Sequence, residues 1–356
     1  MNSPEAGASI FARIGEIAYH LPDRTVDNRE LAKLYPGWTA TKILEKTGVA
    51  TRHIAATDET AADLAFHAAI KLFGSGVDRA EIDVLIFCTQ TPDYFLPSSS
   101  CVLQHRLGLR RDCGAFDVGL GCSGFVYCLA VAKGLIESGQ ATTVLVLTAD
   151  TYSKLINPLD KSVRTIFSDA AAATVVRSSR ANTPSIARCL MGTDGRGADK
   201  LIVATGAFRE QRTAASGVVE ADESGNSRSR DNLFMDGGDV MAFSLREIPP
   251  VVERLLRMNG TTLDDIDFMV LHQGSRFMLE AVRRKLGADP AKFVIDLEET
   301  GNTVSSTLPI ACARLMRQWA QDAPEATVML VGFGVGYSWG ATIARIGPTS
   351  VRITDG

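Results

Sequence analysis

A cysteine, a histidine and an asparagine that lie far apart in the chain could together carry out chemistry on a carbonyl group. Cys122 stands between glycines, in the sequence Gly-Cys-Ser-Gly at 121–124, directly before a pattern with helical spacing. The start of a helix offers unpaired N–H groups and the positive end of the dipole, so we expect a thiolate to form easily there. His272 ends an apolar run, and Asn302 follows a glycine. A thiolate, an imidazole and an amide donor are what nucleophilic attack on a carbonyl group uses.

A glycine-rich segment, Gly-Phe-Gly-Val-Gly-Tyr-Ser-Trp-Gly at 332–340, could complete such a site. Its glycines allow backbone N–H groups to approach a ligand closely and to hold an oxyanion. Each feature also has a structural explanation, since buried cysteines, core histidines, turn asparagines and tight glycine bends are common. Together they indicate thiol chemistry on a carbonyl group, but the residue types alone fit a cysteine hydrolase of the Cys-His-Asn kind equally well.

The composition is that of an ordinary globular protein. The chain has 356 residues, 22% of them charged, and its net charge of −4 gives no support for nucleic-acid binding. No apolar run is long enough to span a bilayer, and residues 1–21 do not resemble a signal peptide, so we expect no membrane insertion. Seven cysteines without a C-x-x-C pair argue against a disulfide scaffold or a zinc ribbon. They favour reduced thiols, no metal site and a cytoplasmic location.

An internal repeat predicts the architecture. The run at 82–90 resembles the run at 266–273, an offset of 184 residues, and the same offset carries Thr143 onto Thr327. Short apolar strands alternate with helical patterns in both copies, which indicates an α/β fold of two duplicated halves. We divide the chain into residues 1–185, which carry the cysteine, and residues 186–356, which carry the histidine and asparagine.

The repeat also predicts which residues meet. Cys88 corresponds to His272, and Cys122 corresponds to Ser306 at the start of a helical pattern. In a pseudo-twofold arrangement equivalent strand ends and helix starts face one central site, which places His272 near Cys122. The irregular, charged region from 195 to 238 is expected to be a solvated excursion, with a flap over a substrate entrance as the functional alternative.

The chain resembles the β-ketoacyl-acyl-carrier-protein synthase III family of the thiolase-like superfamily, from about Ile14 to Ile346. The matching motifs are Thr47-Gly48-Val49, Arg52-His53-Ile54, Gly121-Cys122-Ser123-Gly124, Phe167-Ser168-Asp169, His272-Gln273, Gly301-Asn302-Thr303 and the segment at 334–340. The resemblance implies a thiolase-like α-β-α-β-α layered fold of two duplicated halves. It also implies a homodimer that uses no cofactor.

The family mechanism, carried over to the matching positions, gives these residues roles. Cys122 takes the acyl group of a primer thioester, acyl-CoA or acyl-ACP, where ACP is acyl carrier protein. His272 and Asn302 donate hydrogen bonds to the thioester oxygen of malonyl-ACP and stabilise the enolate left when carbon dioxide departs. The carbanion attacks the acyl-cysteine, and the backbone N–H groups of Cys122 and Val335 form the oxyanion hole.

The resemblance therefore implies an acyltransferase that performs a decarboxylative Claisen condensation. Its setting would be fatty acid biosynthesis or polyketide or specialised lipid biosynthesis. The alternative is an acyltransferase of the same family that passes the acyl group to an oxygen, nitrogen or β-keto-acid acceptor. The primer's chain length and its carrier are left open at this point.

The resemblance extends to partners. The family pattern has Leu96 reach across the dimer to line the partner's acyl pocket. A basic helix after the histidine is expected to dock the acidic carrier protein through Arg276, Arg283, Arg284 and Lys285. Lys42 and Lys161 stand where members that use coenzyme A often have a tryptophan and an arginine around the adenine. Lysine lacks that flat stacking surface, which favours a primer delivered on carrier protein.

Overall fold

A computed structural model describes residues 9–318 and 324–347 of the chain. The elements up to residue 181 are β1 (Ser9–His20), β2 (Thr25–Asp27), α1 (Asn28–Ala32), α2 (Ala40–Thr47), β3 (Thr51–His53), α3 (Ala61–Gly74), β4 (Val84–Cys88), α4 (Ser99–Arg106), β5 (Gly114–Val118), α5 (Gly124–Glu137), β6 (Thr143–Asp150), α6 (Lys161–Arg164) and β7 (Ala170–Ala181).

The elements after residue 181 are β8 (Leu190–Thr193), β9 (Leu201–Ile202), β10 (Glu220–Ala221), β11 (Ser227–Arg228), β12 (Phe234–Met235), α7 (Gly237–Asn259), β13 (Phe268–Leu271), α8 (Arg276–Leu286), β14 (Phe293–Val294), α9 (Thr307–Gln318), β15 (Ala326–Gly334) and β16 (Ser338–Ile346).

Two five-stranded sheets with the same topology confirm the predicted duplication. The first sheet has the order β1-β7-β6-β4-β5 and the second has the order β8-β16-β15-β13-β14. In each sheet the last three strands are parallel, and the first two are antiparallel to their neighbours. The division at 185/186 falls between β7 and β8 and stays a prediction. The first residues of the N-terminal half, 1–8, and the last residues of the C-terminal half, 348–356, lie outside the described residues, as do 319–323.

The layers follow from which face of each sheet is apolar. Side chains alternate between the two faces of each sheet, and both faces are buried. The side chains on one face of each sheet pack with α5 and α9 in a single core cluster. The opposite set of the first sheet packs against α3 and α4, and that of the second packs against α7 and α8. Helices therefore cover both faces of two central sheets, which confirms the α-β-α-β-α arrangement.

Arg52 joins the small antiparallel sheet of β2 and β3 to the body of the protein. Its guanidinium is fully buried and donates to the carbonyl oxygens of Val49, Ala50 and Thr165 and to the side-chain oxygen of Asn28. Burial lowers the pKa of Arg52 to about 9, because a charge loses its hydration in the interior. Thr165 precedes the segment at 166–168 that contacts Asn302, so Arg52 supports one wall of the site described below.

We expect Arg52→Met to lower the free energy of unfolding by about 3 kcal/mol, because several buried acceptors would lose their donor. Urea denaturation monitored by circular dichroism measures this change. The matched control is Arg29→Met on α1, whose side chain is exposed, and it should leave the unfolding midpoint in place. A loss below about 1 kcal/mol for Arg52→Met would contradict the argument from unsatisfied acceptors.

Candidate active site

Cys122, His272 and Asn302 line one cavity of about 310 Å³. The cavity receives residues from both halves of the chain, as the repeat predicts. Most of its other walls are apolar, and they include Phe167 and Phe333. The structure thus brings the three candidate residues to a single site, and their chemical roles stay predictions.

Cys122 lies in the turn between β5 and α5. Helix α5 begins at Gly124 with Ser123 as its N-cap, so the cysteine stands just before the helix. Its side chain is 4% exposed, and the backbone N–H groups of Cys122 and Val335 lie near enough to its sulfur to favour the thiolate. A Cβ atom at Gly334 would lie 2.9 Å from that sulfur, so glycine there permits the close approach of β15.

The expectation of an easily formed thiolate at Cys122 is wrong for the free protein. Burial raises the pKa of the Cys122 thiol to about 12, and the negative charge of Asp150 adds to the increase. The two backbone N–H groups lower the pKa by less than burial raises it. Loss of water therefore outweighs the two backbone donors.

We expect the rate at which iodoacetamide alkylates Cys122 to rise about tenfold per pH unit from pH 7 to pH 10, because only the thiolate reacts and the pKa lies above this range. Peptide-resolved mass spectrometry measures the rate, and the exposed Cys101 serves as a reference in the same sample. A plateau for Cys122 below pH 8 would show that the thiolate is stabilised by something other than these contacts.

His272 follows directly after β13, and its imidazole is buried and neutral. Burial lowers the pKa of His272 to about 3. Its Nδ1 lies 2.8 Å from the hydroxyl oxygen of Thr307, at the start of α9, and the Phe333 ring stands at 85° to the imidazole with centroids 5.8 Å apart. The Thr307 hydroxyl also lies 3.1 Å from the Val304 carbonyl oxygen. That hydroxyl has one proton: when it donates to Val304, the imidazole proton lies on Nδ1, and when it donates to Nδ1, the imidazole proton lies on Nε2.

Asn302 is fixed through its backbone and its side-chain oxygen. Its N–H donates to the Ile166 carbonyl at 3.0 Å, and its carbonyl accepts from the Ser168 N–H at 2.9 Å. The side-chain oxygen accepts from the Val304 N–H at 3.0 Å, which leaves the NH₂ group as a donor. Val304 has a φ of 54°, a strained conformation for a β-branched residue that persists because its side chain is fully buried.

Thr307 and Asp150 are site residues that the sequence analysis missed. Asp150 ends the buried strand β6 and accepts hydrogen bonds from the N–H groups of Gln90 and Ser305. Burial raises the pKa of Asp150 to about 7. Signals for both residues exist: a lone carboxylate ends an apolar strand, and the 184-residue offset makes Thr307 the equivalent of Ser123.

The irregular region from 195 to 238 contributes to the site at its two ends. Leu201 in β9 and Met235 in β12 line the cavity, and their strands pair with each other. The hairpin of β10 and β11 between them is mostly exposed. The two ends of the region, which line the cavity, fit the alternative of a flap over a substrate entrance. The hairpin in the middle fits the expected solvated excursion.

Leu96 does not line the cavity of Cys122. Its side chain is 80% exposed, and with Tyr94, Phe95 and Phe208 it lines a separate cavity of about 940 Å³. The Phe95 and Phe208 rings are in contact, with centroids 5.5 Å apart. Leu96, which the family pattern predicts to reach across a dimer, lies on this apolar surface, and its contact with a partner stays a prediction.

The four predicted docking cations lie on α8, and each has a partner within the chain. Arg276 pairs with Glu298 at 2.9 Å, and Arg283 and Arg284 pair with Glu280 at 2.9 and 3.9 Å. The ammonium group of Lys285 donates to the Leu245 carbonyl oxygen at 2.7 Å. The neighbouring carboxylates reduce the net positive charge that the sequence pattern suggested.

The two lysines at the expected adenine positions also have local partners. Lys42 donates to the Gly37 carbonyl oxygen at 3.1 Å and lies 5.3 Å above the Trp38 ring. Lys161 donates to the Ser224 carbonyl oxygen. Lys46 lies 5.8 Å from the same Trp38 ring, so two ammonium groups cover this indole.

None of the helices within 9–318 and 324–347 is both long and apolar enough to cross a bilayer. Within the same ranges, no three His, Cys, Asp or Glu side chains are grouped so that they could hold a metal ion.

Sequence models of two parts of one enzyme family match the chain. The model described as 3-oxoacyl-[acyl-carrier-protein (ACP)] synthase III matches residues 116–195, which include Cys122. The model of the C-terminal part of that enzyme matches residues 256–346, which include His272 and Asn302.

Whole proteins and solved structures give the same result. The β-ketoacyl-[acyl-carrier-protein] synthase III of Xanthomonas campestris pv. campestris is 32% identical over 340 residues, which is 94% of this chain and 98% of that protein. A crystal structure of a 3-oxoacyl-(acyl-carrier-protein) synthase III is 52% identical, with a TM-score of 0.92 over 94% of this chain and 100% of that one. A 3-oxoacyl-(acyl-carrier protein) synthase from Burkholderia xenovorans LB400 is 33% identical, with a TM-score of 0.88 over 98% of this chain and 100% of that one.

Proposed function

The chain belongs to the β-ketoacyl-[acyl-carrier-protein] synthase III family and is an acyl-transferring condensing enzyme, and on this basis we propose that Cys122 carries the acyl group. The observation that carries the proposal is that the Cys122 sulfur faces two backbone N–H groups in the cavity that His272 and Asn302 also line. A nucleophile, an oxyanion site and two further donors are the groups that a condensation on thioesters needs.

In the first step the Cys122 sulfur attacks the thioester carbonyl carbon of the primer. The carbonyl oxygen becomes an oxyanion, and the N–H groups of Cys122 and Val335 stabilise it. The carbon–sulfur bond of the primer then breaks, and the carrier thiol leaves with the proton that the cysteine loses. A buried, protonated thiol is suited to this step, because it forms its charge only where donors are already in position.

In the second step malonyl-ACP enters the cavity. His272 and Asn302 donate hydrogen bonds to its thioester oxygen, the bond to the carboxylate carbon breaks, and carbon dioxide leaves behind an enolate. The enolate carbon attacks the acyl carbonyl, the bond to the Cys122 sulfur breaks, and a β-ketoacyl-ACP is released while the sulfur takes up a proton from water and returns to the thiol. His272 is neutral, so this role requires that the Thr307 hydroxyl donates to Nδ1, because only then does the imidazole carry its proton on Nε2 and donate it to the thioester oxygen.

The test separates the two steps. The protein is incubated with a panel of acyl-CoA and acyl-ACP thioesters, and intact-mass measurement detects an adduct on Cys122. Malonyl-ACP is then added, and carbon dioxide and the β-ketoacyl product are measured. Cys122→Ala should give no adduct. Absence of an adduct with every primer would refute the proposal.

An acyltransferase with a different acceptor is the alternative within the family. It would form the same adduct on Cys122 but would release no carbon dioxide from malonyl-ACP. The presence of both His272 and Asn302 in the cavity favours condensation, since acyl transfer to an oxygen or nitrogen acceptor does not require stabilisation of an enolate.

We propose the same carriers and partners as the family implies: malonyl-ACP as extender, an acyl thioester as primer, and no cofactor. Lys42 and Lys161 support a primer on carrier protein, because an ammonium group offers no flat surface on which adenine could stack. Both groups also already donate to carbonyl oxygens of the chain. A preference for acyl-CoA over acyl-ACP in the adduct assay would contradict this part. Docking of carrier protein on α8 predicts that charge reversal at Arg276 and Arg284 raises the KM for malonyl-ACP.

A cytoplasmic homodimer is the proposed assembly. The exposed apolar surface of Tyr94, Phe95, Leu96 and Phe208 supports it, because large hydrophobic side chains grouped on a surface mark protein interfaces. Sedimentation velocity tests it, and a species of 38.2 kDa at micromolar concentration would contradict it.

A further inference from the structure

Asp150 has no role in the condensation steps above, although its carboxylate is fully buried and its charge acts on the nucleophile. Burying a carboxylate costs free energy unless hydrogen bonds compensate for the lost water. One of its oxygens accepts from the Gln90 N–H group at 2.8 Å. The other accepts from the N–H group of Ser305 at 3.2 Å and from the Ser305 hydroxyl group at 2.5 Å. One buried carboxylate therefore joins a segment of the N-terminal half to a segment of the C-terminal half.

The turn that contains Ser305 supports both proposed enolate donors. The N–H group of Val304 holds the side-chain oxygen of Asn302 at 3.0 Å. The hydroxyl group of Thr307 lies 2.8 Å from Nδ1 of His272. Ser305 lies between Val304 and Thr307 in the chain, so its position affects the geometry of both donors.

The backbone of this turn is strained and needs support from its surroundings. Val304 has a φ of 54°, which is unfavourable for a β-branched residue. Such a conformation persists only where neighbouring structure fixes it. Besides the contact of Asp150 with Ser305, the hydroxyl groups of Thr148 and Ser306 lie 2.9 Å apart. The end of β6 therefore holds two successive residues of the turn.

We propose that Asp150 is a positioning residue for decarboxylation, which keeps Asn302 and His272 in place through the turn at Ser305. The inference rests on the proposed roles of these two donors. A displacement of about 1 Å in a group that acts on the reacting atoms can cost about 10² in rate. Acylation uses the sulfur of Cys122 and two backbone N–H groups, so loss of the support should appear mainly in decarboxylation.

Asp150 also acts on Cys122 through its charge, and this effect distinguishes positioning from a general loosening of the fold. The negative charge adds to the increase in the pKa of the Cys122 thiol. Removing the charge while keeping the size of the side chain should therefore favour the thiolate and should not slow acylation. A loosened fold would slow acylation and decarboxylation together.

The test compares the natural protein with Asp150→Asn, which keeps the size of the side chain and one acceptor oxygen. Carbon dioxide release from malonyl-ACP without primer gives kcat and KM for decarboxylation. Intact mass gives the rate of adduct formation with the acyl thioester that reacts fastest with the natural protein. We expect kcat for decarboxylation to fall at least tenfold, while its KM changes by less than threefold and the acylation rate falls by less than twofold.

Ser305→Ala is the second variant and serves if Asp150→Asn does not fold. It removes the hydroxyl donor and keeps the backbone N–H group, so kcat for decarboxylation should fall in the same direction, by at least fivefold. Acylation should again fall by less than twofold.

Asp83→Asn is the matched control. One oxygen of Asp83 accepts from the N–H group and from the hydroxyl group of Thr142, both at 2.7 Å, which is the pattern that Asp150 forms with Ser305. Asp83 directly precedes β4, at the opposite end of the first sheet from the turn after β5. The control should therefore leave both rates within twofold of those of the natural protein.

Alkylation by iodoacetamide at pH 8 checks the effect of the charge. In Asp150→Asn the rate for Cys122 should rise at least threefold, while the buried Cys312 stays unreactive in the same sample. Alkylation of both thiols would show loosening and overturn the inference. A decarboxylation kcat within threefold of the natural value in folded Asp150→Asn and Ser305→Ala, or an equal loss of both steps, would also overturn it. No carbon dioxide release by the natural protein would instead refute the proposed condensation.

Discussion

Replacing His272 with alanine is expected to lower decarboxylation of malonyl-ACP at least a hundredfold, while an acyl adduct still forms on Cys122. The reason is that His272 would donate to the oxygen that becomes negative as carbon dioxide leaves, and the loss of one such donor costs about 10²–10³ in rate. Acylation depends on the sulfur and on the backbone N–H groups of Cys122 and Val335, which this change does not remove. Carbon dioxide release and intact mass measure the two steps in one sample.

Two comparisons make the His272 result specific. Cys122→Ala should show the reverse pattern, with no adduct and continued decarboxylation. His67→Ala on α3, where the histidine is exposed and outside the site, should affect neither step. Equal loss of acylation and decarboxylation in His272→Ala would contradict the division of roles and would point to His272 as the base for the thiol.

Replacing Gly334 with alanine is expected to slow acylation of Cys122 by about a hundredfold. The new methyl group would lie 2.9 Å from both the Cβ and the Sγ atoms of Cys122, which is closer than carbon and sulfur atoms pack. Either the sulfur or β15 must move, and the Val335 N–H would then no longer face the developing oxyanion. Loss of one oxyanion donor costs about 10²–10³ in rate, and this is why we expect acylation to slow by about a hundredfold.

Val335→Ala is the matched comparison for Gly334→Ala. It removes side-chain atoms at the next residue but keeps the backbone N–H group, so its loss of acylation should be much smaller. Both variants are compared by the rate of adduct formation with one short primer, after circular dichroism shows that they are folded. An equal loss in the two variants would mean that the Val335 side chain, and not the backbone donor, matters for acylation.

The meeting of Cys122 and His272 could be predicted because it follows from local patterns. A repeated strand and a repeated helix start fix the topology of two similar sheets, and equivalent ends of such elements face each other. Asn302 was a candidate from its residue type and the glycine before it, and its backbone bonds to Ile166 and Ser168 hold it at the same cavity.

Properties that depend on distant partners could not be predicted in this way. The pKa of Cys122 is set by burial, which arises only when β15 and the segment near Phe167 close over it. The charge of Arg276 on α8 is offset by Glu298, which lies in the segment after β14. The sequence of α8 alone does not reveal this ion pair. The contact of Thr307 with His272 joins positions 35 residues apart, and the sequence offers only the hydroxyl at a helix start as a hint.

The two sheets repeat the same backbone, yet their equivalent side chains have different tasks. Ser306, the counterpart of Cys122, donates its hydroxyl proton to the Thr148 carbonyl at 3.0 Å, and Cys88, the counterpart of His272, donates to the Leu120 carbonyl at 3.0 Å. The counterparts of the two proposed reactive groups therefore hydrogen-bond to the backbone of the interior. Symmetry is retained in the backbone and broken in the side chains, so Cys122 from one half and His272 and Asn302 from the other line a single cavity, and the equivalent positions form no second one of this kind among the residues named here.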